Sequence, residues 1–122
     1  MGERVFDGLK VIDCASFIAG PAAATVMSDF GAAVIKIEPP GAGDPYRRRA
    51  QPPIGPGLAS NPGFALDGRN KKSLALDLRS PAGQAVLRRL VVDADVFVTN
   101  FRRPSAADWG LPGRIWRRST SG

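Results

Sequence analysis

Three carboxylates stand where an acid or base could reach a ligand. Asp13 and Glu38 each close a short apolar run, and Asp44 lies in the turn beyond the second. The same positions suit carboxylates that cap turns or answer nearby cations. Cations are plentiful: Arg47-Arg48-Arg49, Lys71-Lys72, Arg79 and Arg102-Arg103. Guanidinium forks match phosphate, though an arginine run also serves as a solvated surface. Cys14 follows the first apolar run and precedes a helix start, where a thiol pKa can fall. A small buried residue is the plainer reading. Phe101 lies between Asn100 and Arg102, and can either stack on a base or fill the core. With no histidine, histidine bases, Ser-His-Asp triads and histidine metal sites are excluded. One cysteine excludes an internal disulfide and cysteine-rich zinc sites, so no metal is expected. Gly41-Ala42-Gly43 lacks the third glycine and the following helix of a dinucleotide fingerprint and reads as a turn.

The elements that would position these residues alternate. Residues 10–13 read as a strand, and Pro21 opens a helix running to Phe30. Ala22, Val26 and Phe30, with Ala23 and Met27 beside them, form its apolar face, and Gly31 stops it. Residues 33–38 make a second strand, closing a βαβ unit. Residues 39–72 read as a long loop, rich in Gly and Pro and including Asn61-Pro62-Gly63 as a turn. Residues 73–78 form a third strand. Ser80 caps and Pro81 opens a second helix with the face Ala82, Val86, Leu90, Leu87 and Val91, and residues 96–99 form a fourth strand. This order predicts an α/β, Rossmann-like parallel sheet. Ligands of such sheets bind outside the carboxyl ends of the strands. Residues 14–20, 39–44, 76–80 and 99–103 should therefore share one rim, and a polyanion such as a nucleotide is the natural guest. Two helices cannot cover both faces of four strands, so exposed apolar surface should favour association.

The chain has 122 residues, enough for one domain. Net charge is +6, and half of the excess sits in Arg114, Arg117 and Arg118 near the C-terminus. No helix-turn-helix or RNP pattern and no basic stretch interleaved with aromatics appears, so nucleic acid is not expected as a partner. No apolar run approaches the ~20 residues of a membrane span, and no secretory leader is visible. A cytoplasmic setting is expected.

Taken in order, several stretches resemble the N-terminal part of the class III coenzyme A transferases. This CaiB/BaiF-type family also holds formyl-CoA transferase and α-methylacyl-CoA racemase. The stretches are Leu9-Lys10-Val11-Ile12-Asp13, Ile18-Ala19-Gly20-Pro21, residues 29–40, Gly43-Asp44-Pro45-Tyr46-Arg47, residues 69–78 and residues 94–102. The resemblance implies acyl-CoA:carboxylate CoA transfer, a Rossmann-like domain, homodimers in full-length relatives, and coenzyme A, an acyl-CoA and a small carboxylic acid as ligands. It implies that Ile18, Ala19, Leu76, Asp77, Leu78, Arg79, Asn100, Phe101 and Arg102 touch coenzyme A. The family's nucleophilic Asp lies beyond the matching region, so no catalytic residue is assigned. Asp108 stands where a basic CoA contact is usual. Residues 1–111 are expected to be the incomplete N-terminal part of the larger domain, and residues 112–122 an unrelated basic tail left by truncation or a shifted frame. An acyl-CoA racemase relative or a remnant without activity are the alternatives.

Overall fold

The computed structural model describes residues 3–48, 61–102 and 109–111. Arg49, Arg103, Asp108 and the basic tail lie outside the described residues. Four parallel strands, β1 (Lys10–Asp13), β2 (Ala33–Glu38), β3 (Lys72–Ala75) and β4 (Val96–Val98), form a single sheet in the order β3-β2-β1-β4. Helix α1 (Ala19–Asp29) links β1 to β2, and α3 (Pro81–Val92) links β3 to β4. The chain steps outward from β1 to β2 and β3, then returns to the far side of β1. That reversal makes the gap between β1 and β4 the topological switch point of the sheet. The predicted α/β parallel architecture is therefore present.

Side chains alternate across the sheet, as the strand period of two requires. Ile12, Cys14 and Ile37 face α3 and join Leu87, Val91, Trp109 and Leu111 in one core cluster. Val11 and Val34 face α1 and pack with Ala24 and Ala32. On the α1 side the carboxyl half of the sheet turns polar, with Asp13, Lys36 and Glu38 all buried.

That polar half explains the first correction. The buried face of α1 is Pro21, Ala24, Thr25 and Ser28, not Ala22, Val26 and Phe30. Small residues let the helix sit close over the sheet, and their hydroxyls answer carbonyls. Thr25 Oγ1 donates to Pro21 O at 2.9 Å and Asp67 O at 2.6 Å, and Ser28 Oγ donates to Thr25 O at 2.7 Å. Val26 and Phe30 point outward, each 51% exposed. Helix α1 also starts two residues early, placing Pro21 in its first turn, where a missing N–H costs nothing. Helix α3 buries Leu87 and Val91, as expected, together with Gly83; of the rest of the expected face Leu90 packs partly buried and Ala82 is exposed.

The loop expected over residues 39–72 holds two elements. Pro45–Arg48 is a 3₁₀ turn, and Pro62–Gly68 is helix α2. Asn61 caps α2 by accepting from Gly63 N at 2.9 Å, and Pro62 opens it. Strand β3 ends at Ala75, so residues 76–78 leave the sheet earlier than the sequence pattern implies; Leu76 and Leu78 instead pack half-buried against the α3-side core.

Candidate functional site at the carboxyl rim

All four strands run parallel, so residues after each carboxyl end share one edge of the sheet. The closest convergence is at the switch point. Ser16 N donates to Asn100 Oδ1 at 3.0 Å, and Asn100 Nδ2 donates to Ser16 O at 2.7 Å. One side-chain amide thus spans the gap with both of its ends. Cys14 N donates to Val98 O at 2.8 Å just below. Beyond this clasp the chain rises to the surface through Phe17, Ile18 and Ala19, all exposed. Phe17 has φ of 64°, a left-handed backbone that a bulky residue seldom adopts. No side chain caps the start of α1. The amides of Ala19 and Gly20 therefore belong to the orphan donors of a helix start, at the end of the macrodipole that favours anions.

The sequence-predicted contacts fall into two groups along the rim. Ile18 and Ala19 stand beside Asn100, Phe101 and Arg102 at the switch point. Phe101 packs edge-on against the buried Trp109, with centroids 5.5 Å apart, and stays 42% exposed. It is part core and part rim. Leu76, Asp77, Leu78 and Arg79 follow β3, two strand spacings from β1 and three from β4, or about 10 and 14 Å at ~4.8 Å per spacing. Arg79 is exposed, and its Nε lies 3.1 Å from Asp77 Oδ1. Hydrogen bonds from the Arg79 backbone and side chain lower the pKa of the Asp77 carboxyl. Only an extended ligand could touch both groups.

Beneath the rim lies a charge network that local sequence pattern does not reveal. Lys36 Nζ is 2.9 Å from Asp44 Oδ2 and 3.8 Å from Asp13 Oδ2, and donates to Ala15 O at 3.0 Å. Asp44 Oδ2 makes that ion pair without hydrogen-bond geometry. Lys71 Nζ donates to Asp13 Oδ2 at 2.8 Å, Pro21 O at 2.7 Å and Asp67 O at 2.9 Å. Burial pushes the Lys71 pKa down against the pull of Asp13. The network ties β1, β2, α1, α2 and the Asp44 turn together. A lysine in the middle of an otherwise apolar strand, Val34-Ile35-Lys36-Ile37, was the one available signal for it.

Glu38 takes up Arg47, the first of the arginine run that could either bind phosphate or lie solvated. Arg47 Nε and Nη2 donate to its two oxygens at 2.7 and 2.6 Å, and the guanidinium lies 4.0 Å over the Phe64 ring. Asp44 N and Ser73 Oγ also donate to Glu38, each at 2.8 Å. Burial alone would raise the Glu38 pKa, but the bonds from Arg47, Asp44 N and Ser73 outweigh it and lower it from 4.5 to about 2. The folded state therefore binds fewer protons than the unfolded state between those values. This stability is complete above pH 4.5 and is lost as pH falls toward 2. Discounted for the half-exposed Arg47, it is worth about 2 kcal/mol. Urea midpoints measured across that window should fall with acid, and Glu38→Gln should flatten this part of the profile. An unchanged slope in the variant would assign the acid sensitivity elsewhere.

Cys14 is buried, and burial first, then the Asp13 charge, push its thiol up to about 12 against the opposing charge of Lys36. It is the small core residue, not an activated nucleophile. Among the described residues, no group of three or more side chains could hold a metal ion. No described helix is long and apolar enough to cross a membrane. A cavity of about 770 Å³ opens at the opposite edge, among Lys10, Ala33 and Lys72 at the strand starts and Arg89 and Asp93. It contains none of the predicted contacts and lies away from the strand ends where such sheets bind ligands.

Comparison with known proteins agrees with the fold. Residues 6–119 match the family model for CoA-transferase family III. The chain is 43% identical over 108 residues to succinyl-CoA–D-citramalate CoA-transferase of Chloroflexus aurantiacus, covering 88% of this chain and 26% of that protein. It is 43% identical over 110 residues to cinnamoyl-CoA:phenyllactate CoA-transferase of Clostridium sporogenes, again covering 88% and 26%. A crystal structure of a CAIB/BAIF family protein from Brucella suis superposes with a TM-score of 0.81 at 35% identity, covering 96% of this chain and 31% of that one. The chain thus spans about a quarter of the length of the curated relatives it matches.

Proposed function

The chain belongs to CoA-transferase family III, and from that premise we propose that its carboxyl rim forms the coenzyme A-binding part of an acyl-CoA:carboxylate CoA-transferase. The observation that carries this reading is the crevice between β1 and β4. There the Asn100 clasp places the exposed Ile18 and Ala19, and the orphan amides opening α1, beside Phe101 and Arg102. Amides and Arg102 suit phosphate oxygens, and the Phe101 ring suits a base. The β3 group with Arg79 would meet a different part of the same extended ligand. The names of both relatives describe CoA transfer, which favours transferase over racemase for this chain.

In such a transfer the donor thioester breaks as the acceptor thioester forms, through a carboxylate nucleophile. Asp13, Glu38 and Asp44 are buried and held by cations or amides, so none is free to attack an acyl group. None of these three is therefore assigned as the nucleophile, and the rim is read as a binding surface. The test is calorimetric titration of the folded chain with coenzyme A and with dephospho-CoA. Saturable binding that weakens without the 3′-phosphate is expected, and Asn100→Ala should weaken it about tenfold by releasing Ser16. No heat from a folded chain at millimolar coenzyme A would overturn the reading.

A further inference from the structure

We propose that Lys36 is a positioning residue for the rim, locking the loop of residues 14–20 into its ligand-receiving shape. The inference rests on the reading of that rim as the coenzyme A site. Five backbone groups of residues 15–17 are held by side chains. Ala15 N donates to Asp13 Oδ1 at 3.2 Å, and Ala15 O accepts from Lys36 Nζ at 3.0 Å. Both Ser16 backbone groups bond Asn100. Phe17 N reaches Asp44 Oδ1 at 3.5 Å. Lys36 is common to most of these contacts: its ammonium touches Ala15 O directly, and it pairs with Asp44 and Asp13, which hold the amides of Phe17 and Ala15.

The arrangement gives the loop a reason for its shape. Residues 14 and 15 are buried, and the next residues turn outward through the left-handed Phe17. A backbone in that region relaxes unless its surroundings fix it. The buried ammonium draws the Ala15 carbonyl inward and sets the Asp44 carboxylate under Phe17. Lys36 is 2% exposed and belongs to β2, so it reaches Ala15 and Asp44 from beneath the rim rather than from the solvent side.

The decisive measurement is amide hydrogen exchange by residue, combined with the coenzyme A titration, on the full chain. Lys36→Met with Asp44→Asn removes one buried charge of each sign, so the charges that remain are balanced. Asp44→Asn alone is the second variant; it keeps an oxygen for the Phe17 and Tyr46 amides, and Lys36 keeps the Asp13 charge at 3.8 Å. Exchange at Ala15, Ser16 and Phe17 should accelerate about tenfold or more while Val11 and Ile12 in β1 stay protected. Coenzyme A affinity should fall about tenfold as the competent loop population drops. A merely structural lysine would change loop and strand exchange together. Loop exchange at wild-type rates in both variants overturns the lock, and so does an opened loop with wild-type affinity. If the wild-type chain binds no coenzyme A while its loop responds to the variants, the lock stands and the reading of the site fails.

Discussion

Replacing Asp13 by alanine should lower the unfolding free energy by about 3–5 kcal/mol, the largest loss expected from any single polar side chain here. Asp13 is fully buried and is the carboxylate shared by both buried lysines, at 2.8 Å from Lys71 and 3.8 Å from Lys36. The network of Asp13, Lys36, Asp44 and Lys71 as a whole contributes little, because desolvating four charges offsets most of their attraction. Removing one member is different, since it leaves an ammonium buried without its counter-charge. Lys71 would keep two carbonyl acceptors, Pro21 O and Asp67 O, and only the weaker pull of the Asp67 charge. A domain of this size has about 5–15 kcal/mol in total, so the variant should be substantially less stable at room temperature. Urea unfolding followed by circular dichroism measures the loss. Lys71→Met added to Asp13→Ala should recover part of it, because the stranded charge goes with the side chain. A loss below about 1 kcal/mol would show that both ammoniums reach water once Asp13 is gone.

That network also marks where sequence reading succeeds and where it stops. The strands and the two connecting helices were legible because periodicity and end signals are local. Lys10–Asp13 and Ala33–Glu38 carry short, mostly apolar runs, and Ser80-Pro81 is an N-cap followed by a first-turn proline. Asn61-Pro62 carries the same two signals and opens α2, yet reads as a turn because the next residue is glycine and the helix has only seven residues. The face of α1 was misread for a different reason. Hydrophobicity nominates Val26 and Phe30, but the surface they would have to meet is charged. Ala24 packs on Val11 and Val34, while Thr25 bonds the Asp67 carbonyl that Lys71 also holds, and Pro21 O accepts from Lys71. Lys71 itself lies 58 residues from Asp13 in the chain, a separation at which no local pattern signals a partner. The candidate contacts divide in the same way. Strand order places all of them on one edge, but only the three-dimensional order β3-β2-β1-β4 puts Arg79 and Arg102 at opposite ends of it.

Gly83→Ala should cost more than about 3 kcal/mol, the upper end for a single added carbon in a packed site. Gly83 lies in the first turn of α3, and its N–H donates to the Ser80 hydroxyl at 3.0 Å. A Cβ there would run into the carbonyl oxygen of Asp77, a backbone atom that no rotamer change can move aside. The helix would have to withdraw from the turn after β3, opening the core beneath Leu87 and displacing Leu78 and Arg79 together. Gly68→Ala provides the contrast. Its Cβ would meet the edge of the Phe64 ring at 3.2 Å, and that ring can give way. There the helix-forming advantage of alanine, up to ~1 kcal/mol, offsets the contact, and the net change should stay within about 1 kcal/mol of zero. Thermal unfolding of both variants tests the argument. Equal, small effects would mean that α3 is not seated on the Asp77 turn. Under the reading of residues 76–79 as a ligand contact, a large Gly83 effect also predicts that coenzyme A affinity falls along with stability. The close approach that excludes a methyl group is the same one that fixes Arg79 at the end of the rim.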